Sequence, residues 1–140
     1  MSFHHIAITA KDPIALERYY TRYFGFKRAR VLPLGDGQQI VFIKSGTAYM
    51  EIFGTTEASP NPGPENDGYP YPGLRHIAFK VDSVDDKLAE MGGDAQITLG
   101  PLDFDDFIPG WRTVWVSDPE GNIVEISQGF TDDDNPEPLD

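Results

Sequence analysis

The sequence repeats itself, and each repeat carries one histidine and one glutamate in matching places. Phe3-His4-His5-Ile6-Ala7-Ile8 and Tyr49-Met50-Glu51-Ile52-Phe53 return in the second half as Leu74-Arg75-His76-Ile77-Ala78-Phe79 and Asn122-Ile123-Val124-Glu125-Ile126-Ser127. The interval from His5 to Glu51 is 46 residues, and that from His76 to Glu125 is 49. Two imidazoles and two carboxylates in a duplicated frame predict one shared metal site, built where two similar modules meet.

Residue spacing divides each half in the same way. Near 3–10 the alternation of a strand puts His5, Ala7 and Thr9 on one face and Ile6 and Ile8 on the other. By that alternation His4 faces away from His5. Asp12 is a good N-cap with Pro13 at the first helical position. Ile14, Leu16, Tyr19, Tyr20, Tyr23 and Phe24 then recur at helical spacing, and Gly25 is the stop. Strands are predicted near 27–33, 39–44 and 48–53, between the turn signals Gly35-Asp36-Gly37 and Ser45-Gly46.

The second half predicts a strand near 74–81, a helix capped by Asp82 or Ser83, and strands near 95–99, 112–117 and 122–128. Asp118-Pro119-Glu120-Gly121 reads as the turn joining the last two. The expected organisation is therefore α+β: two βαβββ modules, at 1–54 and 74–129, forming a cupped and mostly antiparallel sheet. A Pro- and Gly-rich linker occupies 55–73, and an acidic tail follows from 130 to 140. The whole is expected to be one structural domain.

The composition narrows the partners. With a net charge of −12, the chain lacks the basic face that binding to nucleic acid or an anionic membrane needs. There is no apolar run of the roughly 20 residues that cross a bilayer, so a cytoplasmic protein is expected. The absence of cysteine excludes thiolate ligands, disulfides and a cysteine nucleophile.

In all four strands the His or Glu lies opposite the apolar residues that would pack on a helix. Burying two carboxylates there without compensation is unfavourable, because each ion loses several kcal/mol of hydration. A divalent cation compensates them, and two neutral imidazoles with two carboxylates balance its charge.

These motifs resemble the vicinal oxygen chelate superfamily, the glyoxalase, bleomycin-resistance and extradiol-dioxygenase fold, over about residues 3–128. The carriers are His5-Ile6-Ala7-Ile8 with Asp12 and the Tyr19-Tyr20…Phe24-Gly25-Phe26 helix end. In the second half they are His76-Ile77-Ala78-Phe79 and Asp118-Pro119-Glu120-Gly121-Asn122…Glu125-Ile126. The resemblance implies His5, Glu51, His76 and Glu125 as ligands of one divalent ion, whether nickel, zinc, manganese, iron or cobalt. It further implies a homodimer and a glyoxalase I-like lyase or isomerase. The substrate would be a small molecule with adjacent oxygens. The ion would stabilise an enediolate while Glu125 or Glu51 moves the proton between carbons.

Glutathione-using members carry an arginine four residues after the first histidine. Thr9 stands at that position here, which argues against glutathione. Two alternatives are a small-molecule binding protein of antibiotic-resistance type and an Fe(II) extradiol dioxygenase using His5, His76 and Glu125. Tyr49, Phe53, Lys80, Trp111 and Arg112, with Trp115, are the candidates for contacting substrate, and Asp103–Gly110 for a loop at the pocket mouth.

Overall fold

The computed structural model describes residues 1–140. The chain forms two compact units, Met1–Pro64 with Ser117–Asn122, and Glu65–Val116 with Ile123–Asp140. Each holds a four-stranded mixed sheet, which bears out the α+β expectation of a duplicated βαβββ fold. No helix is long and apolar enough to cross a membrane.

In the first unit the order is β1 (His5–Ala10), α1 (Pro13–Tyr23), β2 (Lys27–Gly35), β3 (Gln38–Ser45) and β4 (Ala48–Gly54). The strands lie in the sheet as β1-β4-β3-β2, with β1 and β4 parallel. Asp12 caps α1 by accepting from the Ala15 amide at 3.0 Å, as its position before Pro13 predicts. Helical spacing then buries Leu16, Tyr19, Tyr20 and Tyr23 against the sheet residues Val41, Ile43, Met50 and Ile52. Each such aliphatic or aromatic burial contributes about 1.5–3 kcal/mol.

The turn 117–122 completes this unit. The Tyr20 hydroxyl donates to Asp118 Oδ2 at 2.7 Å, and both residues are buried. Asp118 also accepts from the amides of Glu120 and Asn122 and from Asn122 Nδ2. Burial, followed by the neighbouring Asp118 charge, pushes the Tyr20 hydroxyl well above the usual tyrosine range. The Lys11 amide bonds to Glu120 of the same turn.

The second unit contains β5 (Ile77–Lys80), α2 (Val84–Met91), β6 (Gln96–Asp103), β7 (Arg112–Ser117) and β8 (Ile123–Gln128), with a 3-10 turn at Gly92–Asp94. The sheet order β5-β8-β7-β6 copies the first unit, and β5 and β8 are parallel. Ser83, one of the two expected caps, accepts from the Asp86 amide. Val84, Met91, Val114, Val116, Val124 and Ile126 supply the buried core. Residues 131–140 form no helix or strand and are exposed.

Candidate metal centre

Register explains how the repeat assembles a His–Glu pair twice. In β1 and β4, His5 pairs with Tyr49 and Ala7 with Glu51, so the carboxylate lies one step diagonally from the imidazole. In β5 and β8, Ala78 pairs with Glu125 and His76 stands two residues before it. The diagonal is the same in both units. It leaves His5 Nε2 3.5 Å from Glu51 Oε1, and His76 Nε2 3.7 Å from Glu125 Oε2.

An aromatic ring completes each pair. Phe42 pairs with Glu51 across β3 and β4 and meets the His5 ring edge-on at 5.6 Å. Trp115 meets the His76 ring in the same way at 6.3 Å. Sequence reasoning missed Phe42, which follows from the β3–β4 register alone. Trp115 is buried, and its indole N–H has no partner in the protein.

The second nitrogen of each imidazole is also held. His76 Nδ1 lies 2.6 Å from the Asp67 carbonyl oxygen. A carbonyl only accepts, so Nδ1 carries a proton and donates it there, which leaves Nε2 facing Glu125. The Asp67 side chain grips the Arg75 guanidinium through two bonds of 3.1 and 3.0 Å, and the hydrogen bonds from Arg75 hold its carboxyl below the usual carboxylate range. Gly68 is required in this turn: its φ is +123°, and a Cβ there would stand 1.9 Å from the Arg75 carbonyl oxygen.

His4 differs from expectation. Its Nδ1 lies 2.8 Å from His5 Nδ1, and its ring stacks on Tyr49 at 4.6 Å. The reason is that β1 begins at His5, so strand alternation does not govern the residue before it. His4 therefore sits beside the pair and holds the second nitrogen of His5.

Each pair offers one imidazole nitrogen and one carboxylate, donor types that a divalent cation takes. Glu51 and Glu125 keep only 17% and 16% of their side-chain surface, yet neither accepts a hydrogen bond from the protein. In each pair the imidazole Nε2 faces a carboxylate oxygen, at 3.5 Å in the first unit and 3.7 Å in the second. The structure brings His5 to Glu51 and His76 to Glu125, and gathers no group of three or more His, Cys, Asp or Glu side chains for a metal.

The remaining candidates fall in distinct places. Tyr49 lies between His4 and the Lys44 ammonium, which sits over its ring at 5.1 Å. Phe53 lines a cavity of about 510 Å³ with Ile14, Leu34 and Ile40. Lys80 donates to the Phe130 carbonyl at 3.4 Å. Trp111 donates to Ser127 Oγ at 3.0 Å and packs on Phe104 and Phe130. The Arg112 guanidinium is held by Asp103 and Asp85. In the expected mouth loop, Phe104 packs inward on Trp111 and Trp115 while Phe107 is exposed.

Duplicated βαβββ units, each presenting a diagonal His–Glu pair, define a recognisable class of two-module protein. The model of the Glyoxalase/Bleomycin resistance protein/Dioxygenase superfamily matches residues 2–126, and the chain belongs to that superfamily. It is similar to a glyoxalase family protein from Enterococcus faecalis, with 29% identity over 90% of this chain and 96% of the other, at a TM-score of 0.67. It is similar also to a lactoylglutathione lyase from Agrobacterium tumefaciens, with 26% identity over 91% and 93% of the two chains, at a TM-score of 0.61. The fosfomycin resistance protein FosX from Listeria monocytogenes shares the fold, with 14% identity over 93% and 94%, at a TM-score of 0.68. Among curated proteins none matches this chain.

Proposed function

We propose that the protein is a divalent-metal-dependent lyase or isomerase of glyoxalase type, acting on a small molecule with adjacent oxygens. The observation that carries it is the repeated half-site. In each unit a neighbour holds Nδ1 of the histidine while Nε2 faces a carboxylate that no hydrogen bond satisfies. His5 with Glu51 and His76 with Glu125 are then two halves of a four-ligand set. The similarity to a lactoylglutathione lyase supports this chemistry, and Thr9 favours a substrate other than a glutathione adduct.

Such an ion, when bound, supplies a Lewis acid to adjacent substrate oxygens. The protein's own groups do the rest. Glu51 or Glu125 removes the proton from the carbon beside those oxygens and returns it to the neighbouring carbon, so the proton balance closes within the site. Asp67 and His4 keep the imidazoles in orientation. We propose a homodimer, since a four-ligand set can be completed by pairs from two chains.

Metal content and turnover together test this. The wild type should take up one divalent ion per two pairs, and His5→Ala and His76→Ala should each lose it. Glu51→Gln and Glu125→Gln should separate the proton-transfer residue, which loses turnover, from the one that serves mainly as a ligand. Mixing His5→Ala with His76→Ala chains should restore metal to part of the sample if each site draws on two chains. Wild-type protein that binds no nickel, zinc, manganese, iron or cobalt would end the proposal.

The position of His4 gives a second reading some weight. An Fe(II) extradiol dioxygenase with His5, His76 and Glu125 as ligands needs a further histidine for proton transfer, and His4 adjoins His5. Oxygen consumption with a catechol, lost in His4→Phe, would favour it.

A further inference from the structure

The sheet face that carries His5 and Glu51 also carries an arginine that the strand pattern hides. Residues two apart in an unbroken strand share a face, so Arg28 and Arg30 belong together by sequence. The pairing of β2 with β3 runs Arg28 to Ile43 and then Arg30 to Phe42, which leaves Ala29 as an extra residue. This bulge separates the two arginines. Arg28 goes to the helix side, where it is bound to Glu17 of α1 at 2.5 and 2.9 Å. Arg30 goes to the opposite face.

Its neighbours there follow from register. Ala7 pairs with Glu51, Glu51 with Phe42, and Phe42 with Arg30, forming one row across the sheet. Two strand intervals, about 10 Å, separate Glu51 from Arg30, with the Phe42 ring between them. One step along, Thr9, Phe53, Ile40 and Leu32 share the same face, and Phe53, Ile40 and Leu34 line the 510 Å³ cavity. Arg28, Arg75 and Arg112 are all paired with carboxylates. Arg30 is exposed and makes no hydrogen bond or ion pair.

We infer that Arg30 is the anion anchor of this site, and that the substrate is a small acid. Its apolar segment lies over Phe42, Ile40 and Phe53, and its carboxylate or phosphonate reaches the guanidinium of Arg30, which stands two strands from Glu51 in the same row. This rests on the reading of His5 and Glu51 as half of the reacting site. Thr9 cannot bind an anion through charge, whereas Arg30 approaches the neighbouring row, that of Glu51, from the opposite edge of the sheet.

The probes are phenylacetate, phenylphosphonate and the neutral phenylacetamide. Each is titrated into metal-free protein in an anion-poor buffer and followed by NMR shifts of Phe42, Ile40 and Phe53. At least one acid should bind at those residues and the amide should not, and whichever acid binds more tightly identifies the anion. Arg30→Gln should weaken that acid roughly tenfold or more, and Arg30→Lys less, since it keeps the charge and loses the two-pronged geometry. Equal binding by wild type and Arg30→Gln would overturn the inference, as would shifts centred on Lys27, Lys44 or Arg112. Zinc affinity should be unchanged in Arg30→Gln, so failure of the metal proposal and failure of this one are separately visible.

Discussion

Replacing Gly68 with alanine should release His76 without touching it. The added Cβ would lie 1.9 Å from the Arg75 carbonyl oxygen and 2.7 Å from its carbon, and real Cβ atoms do not approach closer than 3.0 Å. The Asp67–Gly68 peptide must therefore retreat by about 1 Å. The His76 Nδ1 to Asp67 bond is 2.6 Å long, and a retreat of that size along it stretches it to about 3.6 Å, past the range of a hydrogen bond. The alanine is also strained at φ +123°, which costs on the order of 1–3 kcal/mol. Two readouts follow. Imidazole nitrogen shifts should show His76 as the Nδ1–H tautomer in the wild type and as a mixture in Gly68→Ala. Zinc affinity, measured by chelator competition, should fall about 10–100-fold, as expected for loss of a partner behind a metal ligand. Arg75→Gln is the milder control: it frees Asp67 without a clash, and should shift the tautomer less. A folded Gly68→Ala protein with an unchanged His76 tautomer would refute the role given to the Asp67 carbonyl.

Three further outcomes can be checked, two on stability and one by the His76 nitrogen shifts. Tyr20→Phe should lower the free energy of unfolding by about 1.5–3 kcal/mol in a urea titration, because it removes a buried hydrogen bond to a carboxylate. The Tyr20 hydroxyl has its pKa raised by folding, so its contribution is full below pH about 10 and is lost as pH rises above that; the alkaline decline should be shallower in Tyr20→Phe. Asp67 is depressed by Arg75, so the order it gives the 67–76 turn persists above the usual carboxylate range and fades as pH falls through its lowered value. The His76 nitrogen shifts should follow that acid limb, and Arg75→Gln should move it to higher pH.

Much of this structure was legible in the sequence because each signal was local. Asp12-Pro13 and the Tyr19-Tyr20-Tyr23 spacing marked α1, and Asp118-Pro119-Glu120-Gly121 marked the last hairpin. The His–Glu pairs followed from the repeat, since alternation fixes which face a strand residue takes. Three features were not legible. Ala29 carries no glycine or proline mark, so the bulge that re-aims Arg30 exists only in the pairing of β2 with β3. The Asp67 carbonyl belongs to a backbone segment without periodicity, and its partner His76 lies nine residues on. His4 precedes the start of β1 at His5, so the alternation that places the strand residues does not place it.

The hairpin tip at 117–122 belongs to the first unit, although the strands it joins belong to the second. Synthesis delivers residues 1–64 long before that tip, so the bond anchoring Tyr20 to Asp118 cannot form while the early repeat is alone. Neither half is finished until translation has passed residue 122. A gene fragment cut cleanly between the repeats would encode a helix parted from the acid that secures it.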